Sequence, residues 1–412
     1  MASYVAQIRD GQGRIQKQTI EAENARDARA LLRDRGLFVQ DIKEKKSLDL
    51  KDLGKIDINE MLASVTIKDK AVFSRQLAVM VNAGVPIVRA LGILSDQSTN
   101  PKLKAALVEL SNDVQQGSPM SESMRKSPKV FDRLYIAMIQ AGEIGGVLDE
   151  VLNRLSKLLE DNARLQNQIK SALTYPLVVG GFAVLVFLGL TIFLIPIFAG
   201  IFEELDGIEL PLLTAVMLQI SAFLRNPVTM ALLIAIIIGI SFATGQYYRT
   251  PIGRRNLDGL MLRLPLFGDL IQKNSVARFS RTFGALTRAG VPILTALEIV
   301  RDTAGNQVIA DSVDKARVEV QSGGMISSAL ADTKPATFPA MSLQMMMIGE
   351  ETGELDAMLM KVADFYEDEV EQAVKALTSI IEPVMIVVVG GMVAVILLSM
   401  YLPMFKVFDG LG

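Results

Sequence analysis

Three apolar stretches interrupt a chain whose remaining segments place apolar positions with helical spacing. No Asp, Glu, Lys or Arg lies between Lys170 and Glu203, where 177–202 reads LVVGGFAVLVFLGLTIFLIPIFAGIF. Two more uncharged runs lie between Arg225 and Arg249 and between Glu382 and Lys406. A helix needs roughly 20 apolar residues to cross a bilayer, and uncharged runs of this length are hard to place in a soluble core. The pattern predicts transmembrane helices at 171–202, 226–248 and 383–405.

Elsewhere the period is helical. Phe73, Leu77, Met80 and Val81 keep a spacing of three to four residues, Gly84 suits a left-handed helix end, and Pro86 suits the first turn of a following helix. Further helices are expected near 101–116, 119–126 and 130–141. The stretch GEIGG at 142–146 breaks the pattern, and a long amphipathic helix then runs from about 147 toward the membrane. A matching break, GEETG, stands at 349–353. Residues 1–45 differ: weak alternation at 4–9, a turn signal Asp10-Gly11-Gln12-Gly13, a second strand at 14–20, helical spacing at 24–35 closed by Gly36, and a third strand near 37–39. This reads as a small ββαβ-like module joined by a Lys- and Asp-rich linker, 46–66.

The helical part is duplicated. Phe73-Ser74-Arg75 recurs as Phe279-Ser280-Arg281, and Ala83-Gly84-Val85-Pro86-Ile87 as Ala289-Gly290-Val291-Pro292-Ile293, at an offset of 206. One inserted residue shifts the offset to 207, at which Gly142-Glu143 matches Gly349-Glu350, Gly146 matches Gly353, and Pro176 and Pro196 match Pro383 and Pro403. In each repeat the two prolines stand 20 residues apart, about 30 Å along a helix and close to the hydrocarbon thickness. The expected fold is mainly α: two duplicated cytoplasmic six-helix bundles, three transmembrane helices and the small N-terminal module. The bundles are placed at 67–170 and 273–382, with a loop at 203–225, a connector at 249–272 and a tail at 406–412.

Charge gives an orientation. The segment 249–281 has seven basic residues, among them Arg249, Arg254, Arg255 and Arg263, against Asp258 and Asp269, whereas 203–225 carries four acids and Arg225. The positive-inside rule puts the N-terminus and 249–382 in the cytoplasm and the 203–225 loop and the tail in the periplasm. The first residues show no apolar signal-peptide core.

Composition narrows the chemistry. The 412 residues include no His, Cys or Trp, which excludes His- or Cys-based catalytic triads, zinc fingers and disulfides. Half the chain is hydrophobic and 21% is charged, with a mean hydropathy of +0.35, so apolar spans and charged soluble segments are segregated. A net charge of −3 gives no basic bias toward nucleic acid. The candidate motifs read as structural: Gly84, Pro86, Gly290 and Pro292 as helix corners, and Gly142, Glu143, Gly146, Gly349, Glu350 and Gly353 as interhelical turns whose Glu bonds backbone amides. A phosphate-binding role for the Gly-Glu turns is disfavoured, because a Glu would repel phosphate and no Gly-x-x-x-x-Gly-Lys-Ser/Thr is present. The acids Asp364, Glu367, Asp368, Glu369 and Glu371 form a solvated helix face rather than a calcium site, Gly11 and Gly13 a hairpin turn, and Met345-Met346-Met347 core. No catalytic, cofactor-binding or metal-ligating set stands out. Spans without ionisable groups disfavour the other class considered, a transporter subunit.

Taken together, the N-terminal pattern, the duplicated Phe-Ser-Arg, Ala-Gly-Val-Pro and Gly-Glu-x-x-Gly-x-Leu stretches, Tyr175-Pro176 and Glu382-Pro383, and the three spans resemble a known family. It is that of the inner-membrane platform proteins of type IV pilus and type II secretion systems (the PilC/GspF family). The resemblance implies a non-enzymatic, homo-oligomeric assembly platform without a cofactor. It further implies contacts with assembly and retraction ATPases, pilins and inner-membrane alignment-complex proteins, in either a pilus or a type II secretion machine. Thr352 stands where the first repeat has Gly145, so the two turns are not identical.

Overall fold

The helical spacing between 67 and 170 becomes six helices in the computed structural model of the protein: α1 Ile67–Asn82, α2 Ile87–Gln97, α3 Pro101–Gln115, α4 Met120–Arg125, α5 Arg133–Gly145 and α6 Leu148–Gly189. The structure describes residues 2–9, 15–22, 38–44, 64–203, 211–333 and 335–410. Local chemistry sets the boundaries. Thr66 and Asp69 form a reciprocal capping box at the start of α1. Asn100 accepts from two amides in front of Pro101, and Asp132 accepts from the Tyr135 amide. At the end of α1, Gly84 has φ 78°, the Val85 amide reaches Met80 O and the Gly84 amide reaches Val81 O, which closes the helix in a left-handed turn.

The second repeat reproduces this order as α11 Phe267–Arg288, α12 Ile293–Thr303, α13 Gln307–Gln321, α14 Ile326–Ala331, α15 Ala340–Thr352 and α16 Leu355–Gly410. Its first helix starts inside the stretch assigned to the connector. Between the repeats lie a five-residue π-helical segment, Leu190–Leu194, then α7 Ile195–Glu203, α8 Leu212–Arg225, α9 Pro227–Arg249 and α10 Pro251–Arg263. The expected loop at 203–225 is therefore largely a helix. This helix buries Thr214, Met217 and Ser221, and the Thr214 hydroxyl donates to Ser399 O within the last span.

Among the described residues three helices are long and apolar enough to cross a membrane: Leu148–Phe198, Pro227–Arg249 and Leu355–Phe405. The protein is a multi-pass membrane protein. Helix continues through Pro176, Pro383 and Pro403. α6 and α16 run parallel: Leu165, Ile169 and Ala172 pack with Val370, Val374 and Leu377, and further along Gly180 meets Met385. The two repeats share one buried cluster rather than two separate cores. Phe73, Phe131 and Tyr135 meet in tilted contacts at its first end, with ring centroids 6.1 and 5.2 Å apart, and Phe279 meets Phe338 edge-on at 4.9 Å in the second.

The N-terminal unit, Met1–Ser64, contains strands β1 Ala2–Arg9, β2 Ile15–Ala22 and β3 Phe38–Glu44. They form one antiparallel sheet in the order β2-β1-β3, with Ala2 opposite Ala22, Tyr4 opposite Glu44, and a register shift between Gln7 and Ile8. The turn at 10–13, the helix expected at 24–35 and the linker up to 63 lie outside the described residues.

Candidate functional site: repeat corners and the paired long helices

Each repeat carries the same three devices, and together they fix a long helix to its bundle. The first is the corner. Gly84 and Gly290 have φ of 78° and 80°, and a Cβ at either would meet nothing within 4 Å. Their requirement is conformational rather than one of close packing. Pro86 and Pro292 stand just before α2 and α12, not within the first turn, and their carbonyls accept the first helical bonds from Ala90 and Ala296.

The second device departs from the expected interhelical turn. α5 runs through Gly145 and α15 through Thr352, so only Gly146 and Gly353 take the left-handed conformation, with φ of 68° and 77°. Gly142 and Gly349 sit inside helices, where the next helix crosses closely. A Cβ on Gly142 would lie 3.1 Å from Val151 Cβ, and one on Gly349 only 2.9 Å from Leu355 Cα. Glu143 reaches sideways to the start of α4, accepting from the Met120 amide at 2.5 Å, the Ser121 amide at 3.2 Å and the Ser121 hydroxyl at 2.5 Å. Glu350 does the same for α14 through Ile326 and Ser327. A carboxylate thereby satisfies amides that a six-residue helix leaves open at its positive end.

The third device did not stand out in the sequence. Arg75 pairs with Glu160 through two hydrogen bonds of 2.7 and 2.6 Å, and Arg281 pairs with Glu367 at 2.7 Å and Asp364 at 2.7 Å. These are equivalent positions of the two repeats; the shared offset of 207 between Glu160 and Glu367 was the available signal. Their surroundings differ. The side chains of Arg75 and Glu160 are 42% and 41% exposed, those of Arg281 and Glu367 only 7% and 9%. Arg164 of α6 approaches Glu367 at 3.8 Å. Burial pulls the Arg281 pKa down, but hydrogen bonds and charge from Glu367 and Asp364 outweigh it and hold Arg281 above its ordinary value. In the first repeat the Arg75 hydrogen bond holds Glu160 below the usual carboxylate range.

The acidic stretch is therefore not a uniform solvated face. Glu367 is buried, Asp364 and Glu367 bind Arg281, Glu369 reaches Lys273 at 3.0 Å, and Glu371 reaches Lys375 at 2.8 Å. Among the described residues no three carboxylates converge on a point that could hold a metal. Met346 is fully buried, while Met347 is 41% exposed. Across the repeats, Arg133 of α5 bridges to Glu298 at 2.8 Å and Asp302 at 2.7 Å on α12, and Arg154 donates to Arg288 O at 2.7 Å. The arrangement holds two bundles and two long apolar helices in fixed register.

Residues 73–196 and 279–403, the two repeats, each match the family described as type II secretion system (T2SS), protein F, and residues 1–43 match the N-terminal domain of the same protein. The chain belongs to the type II secretion system protein F family. Within it, the chain is 46% identical over 413 residues to the type IV pilus assembly protein PilC of Thermus thermophilus, covering 100% of both chains. It is 38% identical over 411 residues to PilC of Myxococcus xanthus, covering 98% of this chain and 95% of the relative. It is also similar to the type II secretion system protein F of Pseudomonas aeruginosa, at 33% over 416 residues and 100% of both chains.

Proposed function

We propose that the chain is a non-enzymatic assembly platform in a bacterial inner membrane, of the type IV pilus kind. It couples cytoplasmic ATPases to the extraction and polymerisation of pilins. The observation that carries this reading is mechanical. α6 leaves the first bundle and enters its span as one helix of 42 residues, and α16 does the same over 56 residues. At 1.5 Å per residue α6 alone is about 63 Å long. A push on either bundle reaches the bilayer through a rod with no flexible link. In this reading the bundles at 67–170 and 273–382 face the cytoplasm and the motor, and 203–225 the periplasm. The platform acts as a homo-oligomer beside the alignment-complex proteins, and the left-handed corners at Gly84 and Gly290 hold shape rather than bind ligand.

The pilus assignment is supported by the names of the two relatives at 46% and 38% identity. The test is genetic and biochemical. Charge reversals on exposed α3, Lys104→Glu with Glu109→Lys, leave the protein abundant and membrane-inserted while pili are lost and crosslinks from the bundle to the assembly ATPase disappear. Normal pili after deletion of the second bundle, with the protein stable, overturn direct coupling through both repeats. Lost protein secretion with intact pili assigns the type II secretion version instead.

A further inference from the structure

The short helix α10 carries a face that no described part of the chain covers. It turns back from the end of the span α9 at Thr250, whose hydroxyl accepts from the Gly253 amide at 3.0 Å. Its inner side is fixed by polar contacts with the second bundle. Buried Asp258 accepts from the Gln307 amide at 2.7 Å, its backbone carbonyl accepts from Asn306, and Arg255 pairs with Asp311 at 3.3 Å. With 3.6 residues per turn Leu260 lies opposite Asp258, Met261 lies at the flank, and Leu264 follows just past the helix end in extended backbone. These are 57%, 48% and 45% exposed. Leu266 and Phe267 continue the strip at 47% and 42% exposure. Leu266 has φ 68°, and the Phe267 amide donates to Pro265 O at 2.9 Å, a three-residue turn that side chains rarely adopt. A strained backbone here holds apolar side chains outward.

The depth of this strip is marked by its neighbours. Tyr247 and Tyr248 end the apolar run of α9, and tyrosine concentrates at membrane–water interfaces. Both are tied to α10: Asn256 donates to the Tyr247 hydroxyl at 2.9 Å, and the Tyr248 hydroxyl donates to Asp258 at 3.1 Å. Arg249 and Arg263 flank the strip, exposed and without an ion-pair partner among the described residues. The one acid of α10, Asp258, points inward. Apolar centre, cationic flanks and direct continuity with a span fit a lipid surface better than a second protein.

We infer that α10 is an interfacial anchor. Leu260, Met261, Leu264 and Leu266 enter the boundary between headgroups and acyl chains, and Arg249 and Arg263 bind the phosphates of anionic phospholipid.

The native chain has no cysteine, so Leu264→Cys takes a single spin label, with Val318→Cys on α13, 54% exposed, as control. The full chain is reconstituted in phosphatidylglycerol–phosphatidylethanolamine vesicles. Oxygen relaxes the label at 264 more than a water-soluble nickel chelate does, and the order reverses at 318. Equal nickel access at both positions overturns the inference. So does immobilisation of the 264 label that rises with protein-to-lipid ratio, since a second copy then covers the face. In a second arm, phosphatidylglycerol retained after detergent extraction is weighed by native mass spectrometry. Arg249→Gln and Arg263→Gln each lower its retention about fivefold, with phosphatidylethanolamine retention unchanged. Unaltered phosphatidylglycerol retention in both variants overturns the arginine contacts. Binding of inorganic phosphate to the solubilised protein with the same arginine dependence makes this a free-anion site and overturns the lipid reading.

Discussion

Replacing Glu350 by Ala tests whether a distant carboxylate holds the short helix α14 in place. Glu350 accepts from the Ile326 amide at 2.5 Å, the Ser327 amide at 3.0 Å and the Ser327 hydroxyl at 2.5 Å. Met325, at the cap position, makes no side-chain bond of its own. Ile326 and Ser327 are 2% and 4% exposed, so water has poor access to the groups that would be orphaned. A bond to an ionised group contributes about 1.5–3 kcal/mol and loss of a helix cap about 0.5–2 kcal/mol. These are not additive, and the expected destabilisation is about 3 kcal/mol. Glu350→Gln keeps one acceptor oxygen but no charge and should lose about half of that, while Ser327→Ala, which removes only the hydroxyl bond, should lose about 1 kcal/mol. The measurement is denaturant unfolding of the purified chain in detergent, followed by near-ultraviolet circular dichroism. Glu143→Ala provides an internal repeat, because Glu143 makes the same three bonds to Met120 and Ser121. A Glu350→Ala protein within about 0.5 kcal/mol of the parent, the usual range for surface changes, would refute the reasoning. Saturable ATP binding abolished by the same change would replace it with a ligand site.

Other outcomes follow from the duplicated parts. Glu367→Ala should cost about 3–5 kcal/mol because it strips a buried arginine of its main partner. Glu160→Ala, at the exposed counterpart, should cost less than about 1 kcal/mol; equal costs in unfolding measurements would contradict the difference in burial. Because Glu160 is held below its unfolded pKa, its contribution is present above about pH 4.5 and fades as the pH falls through its folded value; melting temperatures of the parent and Glu160→Gln should therefore converge in acid. Gly290→Val should cost about 1–2 kcal/mol from backbone strain alone, since space is open around it, and protein abundance should fall with it; unchanged abundance and unfolding would refute the strain argument. Reporter fusions at 215 should read periplasmic and those at 260 and 340 cytoplasmic, and a cytoplasmic signal at 215 would reverse the orientation.

Much of the fold is legible because its determinants are local. Uncharged runs mark the spans, and repeated Gly-Val-Pro marks the corners, where φ must be positive. Other features depend on what packs where. Gly142 looks like a helix breaker in sequence, yet it lies within α5 because its missing side chain lets α6 cross. The 203–225 segment looks like a loop from its acidic start, but its second half is an apolar helix resting on α16. Arg281 and Arg75 occupy the same place in two copies of one motif, yet one pair is buried and the other exposed, with Arg164 of α6 beside the buried one. Ser280 and Ser74 diverge because a residue across the bundle differs. Ser74 bonds the Tyr135 hydroxyl at 2.8 Å, whereas Ser280 has no hydrogen-bond partner, because Ser342 stands where the first repeat has Tyr135.

The parallel course of α6 and α16 leaves α9 with a bookkeeping task of its own. Two rods that cross in the same direction within one polypeptide require an odd crossing between them to bring the chain back. α9 buries no residue against the rest of the chain. Its apolar stretch, 228–246, then has to satisfy hydropathy and length rather than a packing partner within the chain. Exchanges among Leu, Ile, Val and Ala in that stretch should therefore leave the fold unchanged, while the same exchanges in the first and third spans, which pack on each other, should weaken it.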